Sequence, residues 1–204
     1  MLPSGATIMG KPAKRIATYD DVLAAPPHKV AEIIEEELVL SPRPAGPHSV
    51  AASVLMTELG APFGRGRGGP GGWIILIEPE LHLGPNVLVP DLAGWRRETM
   101  SAVANEPYFT IRPDWVCEVL SPSTERRDRG AKVRLYAQGG VTNAWLVNPL
   151  QHTVEILRLS SEKPAEWTVL SVFTDDEKVR AEPFEAFELD LAVLWQDVQL
   201  APPR

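Results

Sequence analysis

Two carboxylates stand inside otherwise apolar runs: Asp91 in Val87-Leu88-Val89-Pro90-Asp91-Leu92-Ala93, and Glu118 in Trp115-Val116-Cys117-Glu118-Val119-Leu120. Acids are almost never fully buried unless paired, hydrogen-bonded or bound to metal. Either each acid lies at a strand end or on a solvated face, or the two belong to a site. Neighbouring strands would bring both carboxylates to one place, where a cation relieves their repulsion. Magnesium, a hard cation that takes oxygen ligands, suits such a pair, and manganese can substitute for it.

The stretch after Glu118 runs Glu125-Arg126-Arg127-Asp128-Arg129-Gly130-Ala131-Lys132-Val133-Arg134. As a charge pattern, Asp128 and Lys132 are four residues apart and read as a surface helix pair worth about 0.3–0.5 kcal/mol. As chemistry, Lys132 faces the acids and stabilises charge on a phosphate, while Arg126, Arg127 and Arg129 hold a phosphodiester backbone. Other signals are weaker. The glycine-rich segment GRGRGGPGG lacks the Gly-Lys-Ser/Thr ending of a phosphate loop and leads into a strand, so it reads as a mobile loop whose Arg65 and Arg67 offer at most a polyanion contact. The four histidines have no metal-ligand spacing. Cys117 alternates with Glu118 along its strand and points to the opposite sheet face, into the core with Trp115 and Trp145.

The elements that must position these residues follow from periodicity and punctuation. Thr18 reads as the N-cap of a short helix that Pro26-Pro27 stops. Glu32 to Leu40 fits helix or hairpin, with the hairpin preferred. Val50, Val54, Leu55 and Leu59 recur at helical spacing, and Gly60 and Pro62 end that helix. Strands are expected at 73–77, 87–95 and 115–120, the last covered on both faces. Ser121-Pro122-Ser123-Thr124 starts a helix running to about Gln138, a strand follows at 144–147, and two more at 153–159 and 167–173 extend the sheet. The order helix, three strands, helix, strand defines an α/β fold with helices on a mixed central sheet and extra strands at both ends.

The chain has 204 residues, 44% hydrophobic and 23% charged, which suits one globular domain, here placed at 18–198 between loose ends at 1–17 and 199–204. One cysteine excludes an intrachain disulfide and a cysteine-rich zinc site. No apolar stretch is long enough for a membrane span, so the expectation is a cytoplasmic protein that binds no membrane. Twenty Lys and Arg against 27 Asp and Glu give a net charge of −7, so nucleic acid can be held only by a local basic patch.

At Pro90-Asp91, Glu118-Val119-Leu120-Ser121-Pro122-Ser123-Thr124, Asp128, Lys132 and Tyr136 the sequence resembles the putative restriction endonuclease family of the PD-(D/E)xK nuclease superfamily. The resemblance covers roughly residues 18–198 and is most specific from Trp115 to Pro149. It implies a restriction-endonuclease-like fold, Asp91 and Glu118 as metal ligands, and the Val119 carbonyl as a third. The superfamily lysine normally stands two residues after the glutamate, where this chain has Leu120; the resemblance implies that Lys132, on the following helix, supplies the migrated catalytic amine. Glu80 and His48 also match family positions, but a turn acid and a helix-start histidine are the preferred readings of the two, and any site role for them is secondary. Glu36 stands where relatives have a turn glycine, and Asn148 where an aspartate is common.

Two functions fit. One is a magnesium-dependent endonuclease acting on DNA, with Asp91 and Glu118 on the metal and Lys132 on the developing charge. The other is a catalytically silent interaction module that keeps the nuclease fold and forms a homodimer. The acid pair favours the first, and the absent glutamate-x-lysine spacing favours the second.

Overall fold

In the computed structural model, residues 15–162 and 165–199 are described. Most of the expected loose ends lie outside them, but Ala17 is tied down, its amide donating to Glu36 O at 2.8 Å. The short helix α1 (Tyr19–Leu23) begins where Asp21 reaches back to the Thr18 amide at 2.8 Å, and it stops before Pro26-Pro27. Strands β1 (Lys29–Ile34) and β2 (Glu37–Pro42) form the preferred hairpin. Its turn residues Glu35 and Glu36 both take positive φ, 50° and 68°, the left-handed geometry that a two-residue turn of this hand demands and that glycine meets more cheaply.

Helix α2 (Gly46–Leu59) buries Ala51, Leu55 and Leu59 along one face. The expected stop at Gly60 and Pro62 is not abrupt: the helix widens into a π turn over Gly60–Gly64 before it ends. The glycine-rich loop that follows is closed onto this turn, because the Arg65, Arg67 and Gly71 amides donate to Gly60, Ala61 and Pro62 carbonyls.

Strands β3 (Trp73–Ile77), β4 (Leu81–Leu83), β5 (Asn86–Leu88) and β6 (Leu92–Arg96) come next. The single strand expected over 87–95 is in fact two, belonging to different sheets. Pro90 has no N–H to give a ladder, so pairing lapses at Val89-Pro90-Asp91 and the chain crosses from the small sheet to the main one. Strand β7 (Trp115–Val119) is buried along its whole length, as expected of a central strand. The helix expected from Ser121 to Gln138 is present in three pieces: α3 (Glu125–Arg127), a π turn over Asp128–Lys132, and α4 (Val133–Gln138). Strands β8 (Asn143–Asn148), β9 (Thr153–Leu159) and β10 (Trp167–Thr174) extend the sheet, and β11 (Lys178–Val179) pairs with β12 (Leu189–Asp190).

The main sheet has the order β10-β9-β8-β7-β6-β3, with β7 and β8 parallel and the other pairs antiparallel; β2-β1-β5-β4 form the smaller one. Helix α2 covers one face over Trp115, Cys117, Trp145 and Phe184, and α4 brings Leu135 and Tyr136 to the other over Val116, Ala144 and Leu146. Gly94 on β6 lets the rings of Trp73 and Trp115 close in: a Cβ there would stand 3.2 Å from each. Gly94→Val should therefore lower stability by about 1–3 kcal/mol, read as a shift of the denaturant midpoint at unchanged slope. No helix among the described residues is long and apolar enough to cross a membrane.

Candidate active site

The register of β6 on β7 ends with Leu92 opposite Cys117, so Asp91, just before β6, and Glu118, one residue after Cys117, stand at the same end of the strand pair. Both carboxylates accordingly line one cleft of about 260 Å³, together with Val119 and Lys132. The break at Pro90 makes this arrangement available: Asp91 is freed from the ladder, and its Oδ2 accepts a hydrogen bond from the Val119 amide at 2.6 Å. On the other side of the carboxylate, His48 Nε2 on the first turn of α2 lies 3.0 Å from Oδ1. His48 Nδ1 is buried without a partner.

Lys132 is not the surface partner that its spacing from Asp128 suggests. Both residues are buried, Lys132 at 2% and Asp128 at 3% exposure, because the π turn directs them into the cleft. The Lys132 ammonium stands 2.8 Å from Glu118 Oε1 and 3.0 Å from Glu32 Oε1, and donates to Val89 O at 3.0 Å. Tyr136 donates to the same Glu118 oxygen at 2.5 Å. Burial pushes the Glu118 carboxyl well above the usual range; Lys132 pulls it down, and the acids around it add to the rise. Burial also lifts the Asp128 carboxyl. Burial opposes the charge on Lys132, but Glu118, Glu32 and Asp128 outweigh it and hold the amine protonated. The Lys132 ammonium thus stands in direct contact with two carboxyl groups, with Asp128 close enough to act on it.

Of the remaining candidates, Arg127 lines the cleft and donates to Ser41 Oγ at 2.8 Å, while its buried Nε makes no hydrogen bond and lies 3.9 Å from Asp128 Oδ1. Arg129 does not join it: the side chain is held outside the cleft by Glu125 at 2.8 Å and Glu155 at 2.5 Å. Arg126 is exposed and also lies outside the lining. Glu80 is likewise apart, engaged 2.8 Å from His82 Nε2 beside Tyr19. Sequence reading passed over Glu32 as a site residue. Its signal was an acid at an alternating position of an apolar strand, buried here because its carboxylate accepts from the Val89 amide at 2.9 Å and pairs with Lys132.

The donor set fits a small hard cation. Among the described residues no group of three or more His, Cys, Asp or Glu side chains is placed to hold a metal ion. Magnesium typically needs only one or two carboxylates and keeps several waters. The cleft is lined by five acids, Glu32, Glu78, Asp91, Glu118 and Asp128, against Arg43, Arg127 and Lys132, a lining that would suit a dication.

A helix, three sheet strands, a helix and a parallel strand, with acids lining one cleft at the end of the two middle strands, define a protein of the restriction-endonuclease-like class. Residues 16–193 match the Uma2 family, described as "Putative restriction endonuclease", and the chain belongs to that family. The fold is also that of a crystal structure from Anabaena variabilis ATCC 29413, described as a putative nuclease belonging to DUF820. The two share 23% identity over 88% of this chain and 98% of that one, with a TM-score of 0.70. No curated protein matches the chain.

Proposed function

We propose that the protein is a magnesium-dependent endonuclease that hydrolyses DNA phosphodiester bonds, with Asp91, Glu118 and the Val119 carbonyl as the metal ligands. The observation that carries this reading is that Asp91 and Glu118 line one cleft, with the Lys132 ammonium on the second carboxylate. Family membership supports it independently. A bound magnesium ion supplies a Lewis acid for a phosphoryl oxygen and lowers the pKa of the attacking water. The chain's own residues supply the rest. The Val119 amide and His48 fix both oxygens of Asp91, so the carboxylate needs no reorientation when it takes a ligand. Tyr136 and Lys132 orient Glu118, and the Lys132 ammonium adds positive charge where the transition state gains negative charge. Arg127 is the cleft arginine suited to grip a phosphate.

The test is incubation of supercoiled plasmid and single-stranded DNA with the purified protein, with and without Mg²⁺ or Mn²⁺. Nicking or linearisation that chelator abolishes is expected. Absence of cleavage across metals and DNA forms would instead establish the silent module.

A further inference from the structure

Among the described residues, Arg65, Arg67, Arg96 and Arg97 form no ion pair with any acid, whereas most of the other arginines do. All four are exposed, and they are gathered at one corner, where the glycine-rich loop meets the end of β6 through the Arg97 amide on Gly72 O at 2.9 Å. Arg96 is stacked over Trp73, 4.6 Å from the ring centroid. Arg65 and Arg97 line a common concavity of about 320 Å³ whose floor is Trp73, and no acid lines it. Four uncompensated arginines at one corner of a chain with net charge −7 require a reason.

The corner is connected to the acid cleft. Helix α2 carries His48 at one end, beside Asp91, and runs into Gly60–Gly64 and Arg65 at the other. Strand β3 lies alongside as the outermost strand of the main sheet. Between them a second concavity, of about 130 Å³, begins at His48, Asp91 and Glu78 and continues along Ser49, Ala52 and Ser53; the Glu78 carboxylate is 3.5 Å from the Arg43 guanidinium. One helical turn further on, Met56 and Gly60 line the arginine concavity. The exposed side chains along this flank of α2 are the hydroxyls Ser49, Ser53 and Thr57. From Asp91 to Arg96 the extended chain spans about 17 Å, roughly five phosphate rises of 3.4 Å along one DNA strand.

We infer that the groove between α2 and β3 is a track for the phosphodiester backbone of the DNA flanking the cut site, leading from the cleft to an anchor made by Arg65, Arg67, Arg96 and Arg97. The inference rests on DNA being the ligand of the cleft and adds the direction in which the strand leaves it. The anchor contributes affinity without reading sequence, since arginines on phosphates position and do not specify. It also replaces the predicted helix triad as the main basic surface, because Arg129 is already neutralised.

The experiment is titration of a fluorescent 20-base-pair duplex by anisotropy in chelator, over a salt series, with the full chain. The triple variant Arg65→Ala, Arg67→Ala, Arg97→Ala should weaken binding at least about tenfold and flatten the slope of log K against log salt by about 0.9 per lost contact. The lysine version of the same triple should retain the slope, which separates lost charge from a damaged loop. Arg158→Ala removes an equal charge from an arginine paired with Glu182 at 3.1 Å on the far strands, and should leave the slope unchanged. A triple alanine variant that binds as the parent does, or an equal loss in Arg158→Ala, overturns the track. Parent cleavage under Mg²⁺ is scored separately: a salt slope that responds in a protein that does not cut removes the nuclease reading alone, and a cutting protein with an unresponsive slope removes the track alone.

Discussion

Asp91→Ala and Glu118→Ala should each reduce magnesium-dependent DNA cleavage by at least about 100-fold, a loss of roughly 3 kcal/mol or more of transition-state stabilisation. Each removes one of the two cleft carboxylates that the proposed metal site depends on. The isosteric changes sharpen the test. Glu118→Gln preserves an oxygen for the Tyr136 hydroxyl but removes the charge, so activity should fall as far as in the alanine variant. Stability should go the other way. Burial lifts the Glu118 carboxyl well above its ordinary range, which means that the native state is penalised for keeping it ionised. In metal-free buffer at neutral pH, Glu118→Gln should unfold at a temperature no lower than the parent, and Mg²⁺ should raise the parent's Tm but not the variant's. Cleavage surviving in both acid variants would sink the proposed metal site.

The sheet was legible because the signals that define it are local. The β-branched run Trp73–Ile77 and the continuous apolar run Trp115–Val119 each carry a strand in a few consecutive residues, and Gly139-Gly140 mark where the second helical segment ends. The acid pair was legible for the same reason, as two charges inside apolar strings. What escaped depends on contacts distant in sequence or on small departures from regular geometry. Leu81–Leu83 is too short to show a period, and the strand change at Pro90 looks like continuation until β1 and β7 are known to lie on different sheets. Glu32 meets Lys132 across the whole first half of the domain, and nothing near either residue announces the partner. The π turn at Asp128–Lys132 inserts one extra residue per turn, which a 3.6-residue template cannot register; it carries Lys132 and Asp128 into the cleft while Arg129 turns out to Glu155. Three arginines adjacent in sequence therefore have three different fates, and the arginines that gather in space come from segments about thirty residues apart.

Lys132→Met should be the most damaging single substitution for the metal-free protein. Among the described residues the ammonium is the only cation in contact with Glu118 and Glu32, all three side chains are nearly inaccessible, and Asp128 adds its field. Removing one partner of a buried ion cluster leaves uncompensated charge and typically costs about 3–5 kcal/mol, on the order of 10 °C in Tm for a domain of this size. The loss should depend on pH with a definite sign. Glu118 and Asp128 are raised in the folded protein already, and without Lys132 they rise further. A carboxyl whose folded pKa lies above its unfolded value binds more protons in the native state, so stability falls as pH climbs from the unfolded value through the folded one. The deficit of Lys132→Met relative to the parent should therefore widen between pH 5 and pH 8, and at pH 8 Mg²⁺ should recover part of it by occupying the crowded acids. Cleavage should remain slow even where Mg²⁺ restores the fold, because the ammonium also faces the charge that develops on the phosphate. Thermal unfolding across pH, with and without Mg²⁺, reads the first effect, and single-turnover cleavage at matched stability reads the second. A variant as stable as the parent at pH 8 would show that Lys132 is not the counter-charge on which the cleft is built.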